Sequence, residues 1–225
     1  MTTQDFSFAD HASTFDEHIN ASIPGYDQLV EKCVGLSRRF VQNHTSVVDL
    51  GCTTGKLLER LSNQNHPSRK KSRYIGIDVE PTFRKQWKLR KARNTQFVVD
   101  DICRFPFERV SYACNLFTLP FIPVPDKIPL LKRIHAGLVE GGAMLIAEKI
   151  YASTGRLQDA LTFQFYDHKL KSFSECELLN KERSLRGQMT LLTEAELREG
   201  LRAAGFREVE AVWGNFPFLA LLALK

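Results

Sequence analysis

No uninterrupted apolar stretch in the 225 residues reaches the length of a membrane span. The C-terminal run "FPFLALLALK" is about half as long and reads as a buried strand. The opening "MTTQDFSFADHASTFDEH" carries acids and lacks a basic start followed by an apolar block. A secretory signal is therefore not expected, and a cytoplasmic protein is. The five cysteines (Cys33, Cys52, Cys103, Cys114 and Cys176) are odd in number, and none stands in a C-x-x-C pair. That excludes a dense disulfide framework and a zinc finger, and suits small hydrophobes in a reducing compartment. The histidines are scattered. His18, His135 and His168 have no partner at metal-ligand spacing, so no metal is expected. No serine sits in a nucleophile elbow.

What is present begins with charge. The net charge of +5 is spread unevenly. From Lys56 to Arg93, twelve Lys and Arg face only Glu59, Asp78 and Glu80. This excess sits in the loop "HPSRKKSR" and the segment "PTFRKQWKLRKAR". Region 56–93 is thus a candidate RNA contact surface, against the plainer reading of a solvated helix face. Aromatic residues are not interleaved there as a single-strand stacking platform would require.

Apolar periodicity divides the chain into alternating elements. Leu29, Cys33, Leu36 and Phe40 repeat at helical spacing. "SVVDL" is a strand followed by the helix "KLLERLS". "RYIGIDV" is a second strand, followed by a helix after Pro81. "QFVVDDI" and "VSYACNLFTLPF" supply the third and fourth, and "DKIPLLKRIHAGL" leads to a fifth, "AMLIAEKI". This alternation predicts βαβ units and a parallel sheet covered on both faces. From Thr154 to Met189 the chain is helical and polar-aromatic. Thr193 and Glu196 then form a capping-box pattern before "REVEAVWGN" and "FPFLALLAL", two strands expected to pair antiparallel.

In an open α/β sheet, ligands bind beyond the carboxyl ends of the strands. "VVDLGCTTGK" places Asp49, Gly51 and Gly55 there, the glycines allowing a tight turn and a close ligand approach. The G-x-x-x-G spacing is neither the dinucleotide fingerprint nor a P-loop. Asp78 ends the second strand, where a carboxylate can bond a ribose diol. Asp100 and Asp101 end the third, where a carboxylate can meet an adenine amino group. An acid after a strand also serves as a helix cap or turn residue. The order and spacing of these acids point to a nucleoside-containing ligand.

"VDLGCTTG", "IGID", "VDDI" and "GLVEGGAMLIAEK" together resemble the class I S-adenosylmethionine-dependent methyltransferases. The resemblance implies an α/β Rossmann-like fold: a seven-stranded, mostly parallel sheet with an antiparallel last strand, and here a helical insertion after strand five. One domain over 1–225 is expected, with an N-terminal helical cap at 1–44 and the insertion at 152–192. S-adenosyl-L-methionine is the implied cofactor. The loop residues Gly51, Cys52, Thr53 and Gly55 would back its amino-acid part. Asp78 with Val79 would bind the ribose, and Asp101 with Asp100 and Ile102 the adenine. Asp49 would fix the loop or reach the cofactor's ammonium.

Across most of the chain, "TFDEHINASIPGYDQLV", "NLFTLPFI", "LIAEKI", "ECELLNKERSL" and "WGNFPFLALLALK" look like the bacterial carboxy-S-adenosylmethionine synthases. Members of that family make a carboxylated cofactor, used to modify wobble uridine in tRNA, with prephenate as the carboxyl source. The mechanism proposed for the family passes through a sulfonium ylide that captures carbon dioxide. The resemblance implies that Tyr26 lies over the cofactor and that Arg183, closest to the family's carboxylate-holding arginine, has a catalytic role. It also admits a homodimer. In the family the arginine directly follows a lysine; here Glu182 intervenes, so either Glu182 or Arg183 takes its position. The family's asparagine before "FTL" is Leu116 here, with Asn115 one place earlier on the opposite strand face; both are candidate cofactor contacts. The alternative activity is methyl transfer to a small molecule or RNA.

Overall fold

The computed structural model describes residues 15–69 and 71–225. The first fourteen residues of the expected cap, and Lys70 of the basic region, lie outside the described part. Strand β1 (Ser46–Leu50) is buried at every position, because its five residues sit mid-sheet with helices on both faces. It pairs in parallel with β2 (Arg73–Asp78) and β4 (Val110–Leu116). β2 continues in parallel to β3 (Thr95–Val99), and β4 to β5 (Leu138–Tyr151). β8 (Phe218–Leu224) then runs antiparallel to both β5 and β7 (Glu208–Asn215). The order β3-β2-β1-β4-β5-β8-β7 is the expected seven-stranded sheet with one reversed strand. A two-residue strand, β6 (Leu192–Thr193), adds a short pairing to β5 at Ile150 and Tyr151 that periodicity did not reveal.

Two apolar layers flank the sheet. On one face α2 (Tyr26–Phe40) and α3 (Lys56–Asn65) bury Leu29, Cys33, Leu58 and Leu61 with Tyr74 and Tyr112. On the other, α5 (Val124–Gly137) and α8 (Glu194–Ala204) bury Leu130, Ile134, Leu197 and Leu201 with Ile77 and Leu221. Helix α8 starts at the expected capping box: Glu196 N–H donates to Thr193 Oγ1, and Glu196 Oε2 accepts from Thr193 N–H. Both orphan donors of that first turn are thereby satisfied.

The basic segment after β2 departs from the expected helix. It forms a 3-10 turn at Pro81–Phe83 and one helical turn, α4 (Arg84–Trp87), before the chain leaves helical geometry. A longer helix would crowd Arg84, Lys85, Lys88 and Lys91 onto neighbouring turns, with no acid between Pro81 and Arg93 to offset them. The chain instead spends Arg90 on α3, where it pairs with Glu59 at 3.3 Å.

Two helices occupy the segment after β5, α6 (Gly155–Lys169) and α7 (Glu175–Leu185). With the short helix α1 (Phe15–Ser22), they contribute side chains to a cavity beside the carboxyl ends of β1, β2, β4 and β5. Among the described residues, no helix is long and apolar enough to cross a membrane.

Candidate active site

A cavity of about 620 Å³ lies beyond the strand ends, within the size range of small-molecule and cofactor sites. Asp49, Gly51, Cys52, Thr53, Asp78, Val79, Asp101, Ile102, Leu116 and Tyr26 all line it. Four sequence-derived candidates do not: Gly55, Asp100, Asn115 and Arg183 are absent from its wall.

The glycine loop is built by the sheet beneath it. Gly51 and Cys52 donate their N–H groups to Ile77 O at 2.8 and 3.0 Å, which folds the loop back over β2. Asp78 Oδ2 accepts from Thr53 N–H at 2.8 Å, and Oδ1 from Glu80 N–H at 3.0 Å. Asp78 therefore organises the loop as well as facing the cavity. Burial raises its pKa, and those two N–H donors oppose the rise. Trp87 Nε1 donates to Thr53 O at 2.7 Å, and Arg90 Nε to Thr54 O at 2.9 Å. From the N-terminal side, Asp16 Oδ1 accepts from Thr54 Oγ1 at 2.8 Å.

The backbone itself requires both glycines. Both have positive φ, +74° at Gly51 and +77° at Gly55. A Cβ on residue 51 would lie 2.2 Å from Thr118 Oγ1, and one on residue 55 would lie 2.5 Å from the Phe97 ring. The loop is thus pressed against β4's exit and against Phe97, whose ring stacks on Trp87 at 5.2 Å. Gly55 is a buried cap residue of α3 and not part of the wall.

Asp100 is also a positioning group: its Oδ1 accepts from Asp101 N–H at 2.8 Å, while Asp101 faces the cavity. Asp101 Oδ1 in turn accepts from Cys103 N–H at 2.8 Å. Asn115 is fully buried in β4, and both polar atoms of its amide lack a hydrogen-bond partner among the described residues. The alternation of a regular strand sends Leu116, not Asn115, to the cavity.

Asp49 fits a cationic ligand. It is 3% exposed, its Oδ2 has no hydrogen-bond partner among the described residues, and it lines the cavity. Burial, with the nearby Asp78 charge, pushes its pKa up to about 7. Such a carboxyl gains most from a positive group placed beside it. Tyr26, at the start of α2, is held in its neutral form by burial and by the Asp49 charge. Its ring lies 6.3 Å from Phe117, which meets Phe218 edge-on at 5.5 Å.

The opposite end of the cavity carries lysines. Lys149 leaves β5, Lys169 ends α6, and Lys181 stands on α7; all three line the wall. So does Glu182, whose Oε1 lies 3.9 Å from Lys149 Nζ. Arg183 is exposed and does not line the cavity, whereas Glu182 does. No spacing rule marks Lys149, Lys169 and Lys181 as a set, since three elements bring them together. Of the aromatic residues on α6, Phe165 is buried in the wall, while Phe163 is 62% exposed.

Residues 47–142 match a family described as a methyltransferase domain. The N-methyltransferase NodS from Bradyrhizobium japonicum, solved with S-adenosyl-L-homocysteine, has a similar fold. Its TM-score is 0.58 at 15% identity, covering 89% of this chain and 87% of NodS. The fold and the cavity beyond its strand ends define an S-adenosylmethionine-dependent transferase of the class I methyltransferase type. Two relatives narrow the class. A carboxy-S-adenosyl-L-methionine synthase from Hahella chejuensis is 32% identical over 95% of this chain and 90% of its own length. Another, from Staphylococcus epidermidis, is 29% identical over 95% and 93%. The chain belongs to the carboxy-S-adenosyl-L-methionine synthase family.

Proposed function

We propose that this protein converts S-adenosylmethionine to carboxy-S-adenosylmethionine, with prephenate as the carboxyl source. The observation that carries the proposal is one cavity that takes Asp49, Asp78 and Asp101 from the ends of β1 to β3, with Lys56 and Arg60 of α3 beside them, and Lys149, Lys169, Lys181 and Glu182 from β5 and the helices after it. Three strand steps separate β2 from β5, about 14 Å at ordinary strand spacing. That span suits an extended cofactor along the ends of β1 to β3 with a small anionic substrate beside it.

In this reading Asp101, with Ile102, receives the adenine and Asp78, next to Val79, the ribose diol. Gly51, Cys52 and Thr53 back the amino-acid part. Asp49 meets the cofactor's ammonium with its unpartnered oxygen, and Tyr26 and Leu116 cover the reacting end. The cofactor supplies an activated carbon next to its sulfonium. The protein's part is to hold that carbon beside a carboxylate-bearing substrate and to exclude water, a task for which Phe117, Phe165 and Phe218 form an apolar wall. The chain acts as one domain, residues 15–44 and 152–192 closing the cavity from two sides. All five cysteines are free, which suits the cytoplasm. Leu157, Phe163 and Leu179, each at least 49% exposed on α6 and α7, offer an apolar face for a homodimer.

One observation favours a second reading, methyl transfer to a small molecule or RNA. Glu182 stands in the cavity wall, and an acid there suits a cofactor whose methyl carries no carboxylate. Lys71, Lys85, Lys88 and Lys91 are exposed and would then supply an RNA contact. Mass spectrometry of the product formed from S-adenosylmethionine and prephenate decides. The synthase reading expects a cofactor heavier by one carboxyl group. Accumulation of S-adenosylhomocysteine with a methylated acceptor establishes the second reading in its place.

A further inference from the structure

Thr53 stands in an unusual backbone conformation. Its φ is +44°, in the left-handed region that Gly51 and Gly55 also occupy. Glycine takes such angles freely. A β-branched residue does not, and it persists there only when its surroundings over-determine it. Here they do. The Thr53 N–H donates to Asp78 Oδ2 at 2.8 Å, and the Thr53 carbonyl accepts from Trp87 Nε1 at 2.7 Å. The next carbonyl, of Thr54, accepts from Arg90 Nε at 2.9 Å.

Both donors come from the turn that ends α4, in which the Arg90 N–H donates to Trp87 O at 3.1 Å. That turn is tied in its own right to the helix that follows the loop. Glu59 of α3 accepts from Arg90 Nη1 at 3.3 Å and from the Lys91 N–H at 2.6 Å. The Trp87 ring is buried and stacked on Phe97, which fixes the direction of its N–H. Thr53, Asp78 and Val79 all line the cavity. The Asp78 carboxylate is thus oriented by the Thr53 N–H on one oxygen and the Glu80 N–H on the other. A carboxylate has more acceptor sites than these two donors fill.

We propose that Trp87 and Arg90 are positioning residues for cofactor binding: by clamping the Thr53 and Thr54 carbonyls they hold Thr53 at positive φ, and the Thr53 N–H in turn aims the Asp78 carboxylate at the cofactor's ribose diol. The proposal rests on the assignment of Asp78 to the ribose, and not on whether a methyl or a carboxymethyl group is carried. Loss of the Trp87 bond lets the Thr53 peptide relax towards negative φ and takes its N–H away from Asp78. The loss therefore falls on recognition of the ribose hydroxyls rather than on the whole cofactor.

The test is calorimetric titration of two probes into the protein: S-adenosylhomocysteine, and its counterpart lacking both ribose hydroxyls. The quantity read is the ratio of the two affinities. Wild type is expected to prefer the diol at least about tenfold, as hydrogen bonds to a charged group would give. Trp87→Phe keeps a ring against Phe97 and removes only the donor. It is expected to cut that preference about fivefold, with the diol-free probe bound nearly as in wild type. Arg90→Met acts through the next carbonyl and is expected to lower the preference in the same direction. If Trp87→Phe fails to fold, Arg90→Met decides alone. A general loosening of the loop would weaken both probes alike and leave the ratio intact, and that result overturns the proposal. Asp78→Ala is the reference and is expected to abolish the preference. Wild-type preference in the folded clamp variants, beside its loss in Asp78→Ala, overturns the clamp and leaves the ribose assignment standing. A preference that survives in Asp78→Ala, or is missing from wild type, removes the ribose assignment and the proposal with it.

Discussion

Glu182 Oε1 sits 3.9 Å from Lys149 Nζ across the lysine end of the cavity. An acid rather than an arginine thus occupies this part of the wall, and it already has a cationic partner. Glu182→Arg is expected to change cofactor preference. It places a guanidinium beside three ammoniums, which disfavours S-adenosylmethionine and favours its carboxylated form. Relative affinity for the two should move by about tenfold towards the carboxylated form, the size expected for one partly desolvated charge. Competition binding with both cofactors reads this directly. An unchanged ratio would mean that residue 182 does not sense the transferred group.

Gly51 is expected to tolerate no side chain. At φ +74° an alanine is strained, and its Cβ would lie 2.2 Å from Thr118 Oγ1. That hydroxyl donates to Leu50 O at 2.8 Å, so it cannot move aside without losing a bond at the end of β1. Gly51→Ala should lose about 2–4 kcal/mol of stability from backbone strain and overpacking together. Denaturant unfolding without cofactor isolates the effect. A stable Gly51→Ala protein that only fails to bind cofactor would instead point to a ligand-facing role for this glycine.

The strands and their acids were legible because both depend on local pattern. Five apolar runs of strand length, each ending in a loop, fix the parallel sheet, and Asp49, Asp78 and Asp101 reach the cavity by standing at strand ends. The reversed strand followed from the short turn before Phe218. What sequence could not show is set by tertiary placement. Gly55 and Asp100 occupy motif positions yet act one layer behind the wall. Trp87 and Arg90, which hold the loop carbonyls, come from a segment whose charge suggested only solvent or RNA. Lys169 and Lys181 meet Lys149 only because α6 and α7 fold back over β5.

Asn115 offers a stabilising change. Its amide is fully buried in β4, and neither polar atom has a hydrogen-bond partner among the described residues. Leucine has a similar size and asks for no partner. Asn115→Leu is expected to gain about 1–2 kcal/mol, the cost of an unsatisfied buried group. Affinity for S-adenosylmethionine should not change, because the residue does not line the cavity. Thermal unfolding and calorimetry on the same preparation check both parts. A destabilised variant would show that the amide is satisfied in solution, for example by an internal water.

Asp49 makes the apo protein's stability depend on pH in a defined direction. Its pKa is raised from 3.8 to about 7 by burial and by Asp78. Between those values the folded chain keeps a proton on Asp49 that the unfolded chain has released. Its contribution is therefore full below pH 3.8 and is lost as pH rises through about 7. Asp49→Asn should flatten this part of the stability profile, and the difference between the two proteins removes the contributions of other buried acids. Cofactor reverses the preference, because an ammonium beside Oδ2 favours the carboxylate. Affinity for S-adenosylmethionine should therefore strengthen as pH rises from about 5 to 8, with proton release on binding near pH ~6. Asp49→Asn should show neither the slope nor the release. A wild type whose affinity is flat over this range, with no proton released, would remove Asp49 from the ammonium site and leave it a loop-positioning residue.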